Sequence, residues 1–212
     1  MLWPHNRTSA IKTIICPESD PRRLVSVYKT FLMEGEKVTV KLNEIIEKAK
    51  NKDVAIFIVC AIKKLFERDR HLLKVNANER SITHRLAIYL QENFWDWDVD
   101  CEYNRNGHEV KRVRDDIGCV ASDDTECRTI FPDIIVHRRS SDGRTDENIL
   151  VVEIKKTTSY QPNDIDLTKL RCLSEQLKYK NALFLRLITG LEEIGVAEFC
   201  WVYPNQMENW VN

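Results

Sequence analysis

One segment restricts the possible folds more than any other: NILVVEIKK at positions 148–156, which is apolar on both faces before its charged end. A strand with one wet face alternates apolar and polar side chains, whereas a strand covered on both faces reads as a continuous apolar run. The segment therefore predicts a central strand. Its two-residue period places Glu153 and Lys155 on one face, with Val152, Ile154 and Lys156 on the other. Carboxylates and ammonium groups are seldom buried at such a place unless they are paired or hold a metal.

The flanking patterns supply neighbours for that strand. FPDIIVHRR (131–139) reads as a second strand, joined to the first through the turn SSDGRTDE, with Asp133 on the face of Ile135 and His137. Antiparallel pairing through that turn would let Asp133, Glu153 and Lys155 converge, with the backbone carbonyl of Ile154 as a natural further metal ligand. Upstream, DVAIFIVCAIKKLFERDRHLL reads as a helix opened by an Asp N-cap. NANERSITHRLAIYLQENF reads as another, with Ile82, Leu86, Tyr89, Leu90 and Asn93 close to one face. Glu79, three residues before Ile82, falls on that inward side, an unusual place for a carboxylate.

VDCEYNR (99–105) reads as a strand, and 106–130 as a long loop or ragged hairpin. DIDLTKLRCLSEQLKY (164–179) has helical periodicity through Ile165, Leu167, Leu170, Leu173 and Leu177. NALFLRLITG and VAEFCWVYP follow as two strands. From residue 79 the order is helix, three strands, helix, two strands, which predicts an α/β layered core with a mixed sheet. The first fifty residues are less legible: a strand at 10–16, a helix at 22–33, a strand in EGEKVTVKL through Val38, Val40 and Leu42, then helical NEIIEKAKN. Residues 1–52 are expected to form an N-terminal extension or small α/β module, and 53–212 the main domain.

Composition constrains function only loosely. The chain has 212 residues, 32 basic against 33 acidic, for a net charge of −1. Its surface as a whole is thus no polyanion footprint, although a local basic lining around an acidic site would suffice for a nucleic-acid enzyme. There is no apolar run of membrane-spanning length and no export signal at the start, so a cytoplasmic location is expected. Seven irregularly spaced cysteines, several within apolar runs, fit reduced thiols.

The convergent set suits hydrolysis of a phosphodiester. That reaction needs a water nucleophile near hydroxide, positive charge against the phosphate oxygens, and in-line positioning. Mg²⁺ held by one or two carboxylates supplies much of this, and an adjacent lysine can orient water or stabilise charge. The stretch FPDIIVHRRSSDGRTDENILVVEIKK, with Pro132-Asp133, nineteen intervening residues and then Glu153-Ile154-Lys155, resembles the PD-(D/E)-x-K nuclease superfamily. The likeness extends over about residues 76–204 and takes in small uncharacterised prokaryotic members.

The resemblance implies a restriction-endonuclease-like core: a central mixed β-sheet flanked by helices. It implies Asp133 and Glu153 as metal-binding acids, Lys155 as the catalytic lysine and Glu79 as the acid of the first core helix. It also implies Mg²⁺ with Mn²⁺ able to substitute, endonuclease-type hydrolysis, and DNA in preference to RNA, in defence or repair. The alternative is an inactive module of the same fold that binds nucleic acid or a partner protein. Residues 1–52 are the candidate surface for a homodimer or partner protein.

Other residues carry weaker readings. Lys169 is expected to be a solvated helix lysine, with contact to the site as the alternative. His137 is a possible accessory residue on the strand of Asp133. Cys119-x7-Cys127, near Cys101 and His108, reads as thiols and not as a zinc knuckle. HEVKRVRDD and Arg138-Arg139 suit either a phosphate contact or a solvated loop, and Trp95 and Trp97 are expected to pack beneath a loop.

Overall fold

The computed structural model describes residues 37–106, 109–110, 112–114, 127–129, 131–139 and 147–204. Residues Glu36–Asn212 form one compact unit and Met1–Gly35 another. The expected strand at 10–16, the helix at 22–33 and the Cys119 and His108 positions lie outside the described residues.

The compact unit opens with helix α1 (Lys37–Lys48), where the alternation of Val38, Val40 and Leu42 suggested a strand. The helical spacing of Leu42, Ile45 and Ala49 outweighs that short alternation, because all three become buried together. Helix α2 (Lys52–Arg68) follows. Its N-cap is Asn51, not Asp53: the Asn51 side chain accepts a hydrogen bond from Val54 N at 3.2 Å. The expected long helix ends at Asp69, and a short α3 (Arg70–Lys74) resumes beyond it. Asp69 is drawn across to helix α4 (Glu79–Asn93), where its carboxylate accepts from Arg85 Nε at 2.8 Å and Tyr89 OH at 2.5 Å. That cross-link gives the break a tertiary use.

The strands among the described residues are β1 (Asp98–Cys101), β2 (Arg105–Asn106), β3 (Glu109–Val110), β4 (Arg112–Arg114), β5 (Cys127–Thr129), β6 (Ile134–His137), β7 (Leu150–Lys156), β8 (Asn181–Ile188) and β9 (Gly195–Val202). Helix α5 (Asp164–Gln176) lies between β7 and β8. Five strands make one mixed sheet in the order β1-β6-β7-β8-β9, with β7 and β8 parallel and the other pairs antiparallel. The strand expected over 99–105 ends at Cys101; beyond it β2, which starts at Arg105, pairs with β3, and β4 pairs with β5. The protein is thus α/β with a five-stranded mixed sheet, and β7 is its middle strand, as the unbroken apolar run requires.

Alternation along β6, β7 and β8 covers the sheet on both sides. Ile135, Val151, Ala182 and Phe184 pack with Leu167, Leu170 and Leu173 of α5. The alternate residues Ile134, Val136, Val152, Ile154, Leu183 and Leu185 are buried as well, on the side where α4 crosses β1 and β7 and α2 packs on α4. Helix α5 ends at Gln176, short of the expected Tyr179. Ile165, expected on its inner face, is 63% exposed, because at 100° per residue it points away from the arc of Leu167, Leu170 and Leu173. No helix among the described residues is long and apolar enough to cross a membrane.

Candidate active site

The C-terminal half of β7 carries the candidate residues. In a strand the N–H and C=O of one residue face the same edge. The register Ile134↔Val152 and Val136↔Leu150 therefore turns Ile154 and Lys156 toward the β6 edge, beyond the point where β6 begins. Continued by two residues, that register sets Pro132 opposite Ile154. Proline has no N–H to give to the Ile154 carbonyl. Asp133, expected within the strand, sits instead in the bend before β6. Its Oδ2 accepts from Ile154 N at 2.8 Å, which is what a strand partner would otherwise do. One turn of pleat further on, Glu79 Oε2 accepts from Lys156 N at 3.2 Å.

Glu79 thus reaches the strand edge from the first turn of α4, whose N-cap is Asn78. The cations beside it in sequence are engaged elsewhere: Arg80 pairs with Glu102 at 2.8 Å and Arg85 with Asp69. The carboxylates of Asp133 and Glu79 therefore bracket the Ile154 carbonyl along one edge of the central strand.

Glu153 points to the opposite face of the sheet from Ile154, toward α5, and is 2% exposed. Its Oε1 accepts from Asp133 N at 3.3 Å and its Oε2 from Lys169 Nζ at 2.8 Å. Burial, aided by the Asp133 charge, pushes the Glu153 carboxyl up to about 8, although Lys169 pulls it down. Burial likewise holds Asp133 above the usual carboxylate range, against the hydrogen bond from Ile154 and the charge of Lys169. Two carboxyls this close and this dry favour protonation unless a cation compensates them.

Lys155 lies on the face of Glu153, as the pleat dictates, and its Nζ stands 2.6 Å from Asp166 Oδ2. Helix α5 thus answers the strand charge for charge: Asp166 meets Lys155 and Lys169 meets Glu153. Lys169, expected in solvent, is drawn in and also donates to the Phe131 carbonyl. Asp166 was not anticipated at all. The signal was available, since Asp166 and Lys169 are spaced i,i+3 and flank the buried Leu170 and Leu173 on the helix surface.

A cleft of about 650 Å³ opens beside these groups, lined by Glu79, Arg80, Thr83, His84, Cys101, Glu102, Phe131 and Asp133. Burial pushes the Cys101 thiol up to about 11, with Asp100 and Asp133 adding to it, which leaves it a poor nucleophile near neutrality. His137 lies apart from the acidic pair. It is 4% exposed and its Nε2 lies 2.9 Å from Asp100 Oδ2. Arg139 binds Asp98 and Asp100, and Arg138 binds Asp96 at 2.6 Å and covers the Trp97 ring at 4.6 Å. Arg139 is thus occupied by the acidic strand β1 and Arg138 by the turn before it. Trp95 is 69% exposed, contrary to the expected packing.

Among the described residues, no three His, Cys, Asp or Glu side chains are gathered closely enough to hold a metal by themselves. Mg²⁺ asks for less, since it is commonly held by one or two carboxylates and keeps several waters. Asp133, Glu153 and a carbonyl whose ladder partner is a proline fit that requirement. Compared with protein-family models, curated proteins and solved structures, the chain matches none.

Proposed function

We propose that the chain is a metal-dependent nuclease of restriction-endonuclease-like fold, hydrolysing phosphodiester bonds of nucleic acid, with DNA the favoured substrate. The observation that carries this reading is the buried pair Asp133–Glu153 beside the open edge of the central strand, with Glu153 pushed up to about 8 by burial and by the Asp133 charge. Asp133, Glu153 and the Ile154 carbonyl are the groups that would hold Mg²⁺ or Mn²⁺, and Glu79 is the auxiliary acid. A divalent ion there supplies charge neutralisation and a more acidic water.

The chain's own groups do the rest. Asp133 and Glu79 fix the strand edge through the N–H groups of Ile154 and Lys156. The cleft beside them admits the phosphate, and Lys155 is the lysine that the motif assigns to orienting water or stabilising charge. In the reaction a water oxygen bonds to phosphorus, the opposite P–O ester bond breaks, and the departing oxygen takes up a proton. A cytoplasmic role in defence or repair accords with this reading, with residues 1–52 as the surface for a second copy or partner protein.

One observation favours a second reading, a module that binds nucleic acid or protein without cleaving. The α5 pairs Asp166–Lys155 and Lys169–Glu153 satisfy the motif charges within the fold. Incubation of wild type and Asp133→Asn with duplex and single-stranded DNA and RNA, in Mn²⁺ and in EDTA, separates the two. The nuclease reading expects Mn²⁺-dependent cleavage lowered at least about a hundredfold by the substitution. Equal background from both proteins would favour the binding module.

A further inference from the structure

We propose that Lys169, a lysine of α5 outside the strand motif, is the ammonium that meets the scissile phosphate. This rests on the nuclease reading above and assigns it a further catalytic residue. The two lysines differ in what they touch. Lys155 is only 8% exposed along its side chain and its ammonium is fastened to Asp166 at 2.6 Å. Lys169 reaches Glu153 at 2.8 Å and the Phe131 carbonyl, and its side chain is 21% exposed.

Phe131 and Asp133 both line the cleft, so Lys169, bound to the Phe131 carbonyl and to Glu153, is one contact away from that lining. Its charge is the leading one that offsets both carboxylates, whereas that of Lys155 is spent on Asp166. Without a metal, the Lys169 ammonium rests on Glu153 Oε2. Once Glu153 is compensated by a divalent ion, that ammonium has lost its partner. Three donors on a flexible stem then turn to a non-bridging phosphate oxygen. Lys155, through Asp166, holds the N-terminal turn of α5 against β7 and so positions Lys169.

Three variants test the assignment: Lys169→Met, Lys169→Arg and, as a control at the far end of the sheet, Lys180→Met. Each is assayed for Mn²⁺ affinity by calorimetry and for Mn²⁺-dependent cleavage of DNA. Lys169→Met should bind Mn²⁺ about tenfold more tightly, because a competing cation is gone, yet cleave about a hundredfold more slowly. Lys169→Arg should recover part of the cleavage, and Lys180→Met should behave as wild type. A merely structural lysine would weaken both measurements together, so weaker Mn²⁺ binding by Lys169→Met overturns the proposal.

Should Lys169→Met fail to fold, Lys169→Gln takes its place, with tighter Mn²⁺ binding and slower cleavage again expected and unchanged cleavage counting against the contact. Wild type that cleaves while a folded Lys169→Met cleaves equally overturns this assignment and leaves the nuclease reading standing. Wild type that neither binds Mn²⁺ nor cleaves overturns both.

Discussion

Glu153 shows how a single residue can record the demand of a site. Its carboxyl ordinarily titrates near 4.5 and is pushed up to about 8 by burial and by Asp133. Between those values the folded protein keeps a proton that the unfolded chain has released. Metal-free stability should therefore be greatest below about pH 4.5, as far as this group is concerned, and decline as pH rises toward about 8. Urea titrations across that range should show the decline, with Glu153→Gln removing it and Mg²⁺ opposing it. A slope unchanged in Glu153→Gln would mean that another group titrates. Asp100 runs the other way: burial opposes its ionisation, but the hydrogen bonds from His137 and Arg139 outweigh it and hold the carboxyl at about 2.

At the scale of elements, the short-range signals that succeeded were those enforced by burial. Glu153 and Lys155 share a face because the pleat leaves no other arrangement, and the unbroken apolar run placed β7 in the middle of the sheet. Where two local signals competed, tertiary packing chose between them. Val38 and Val40 alternate like a strand, yet Leu42, Ile45 and Ala49 bury one helical face. At the start of α2, Asp53 was the expected cap, and the 3.2 Å bond from Val54 N selects Asn51 instead. Asn51→Ala should destabilise the protein by about 1 kcal/mol in chemical denaturation, whereas Asp53→Ala, two residues later, should cost less. Equal losses would show that the cap is not the source.

For the whole molecule, stability resides in the layers on either side of the sheet. Phe184 is fully buried on β8 in the cluster beneath α5. Phe184→Ala should cost about 3–5 kcal/mol, a large share of the total stability of an ordinary domain, and lower Tm accordingly. The same cluster fixes α5 over β7, so the substitution should also loosen the Asp166–Lys155 and Lys169–Glu153 contacts. Retention of the wild-type Tm would mean that the cluster is not the main core of the fold.

What the sequence determined by itself was one-dimensional: periodicity, the central strand, the α/β order, and the placing of Glu153 and Lys155 on one strand face. These follow from repeats of two or 3.6 residues, which any reader of the chain can count. Only the tertiary structure decided which groups meet. It moved Asp133 from the strand into the bend before it, brought Glu79 to Lys156 N across 77 positions, and turned Lys169 inward to Glu153. Contacts between distant segments depend on how helices cross the sheet, and that crossing is set by the fit of whole buried faces. No local period encodes it.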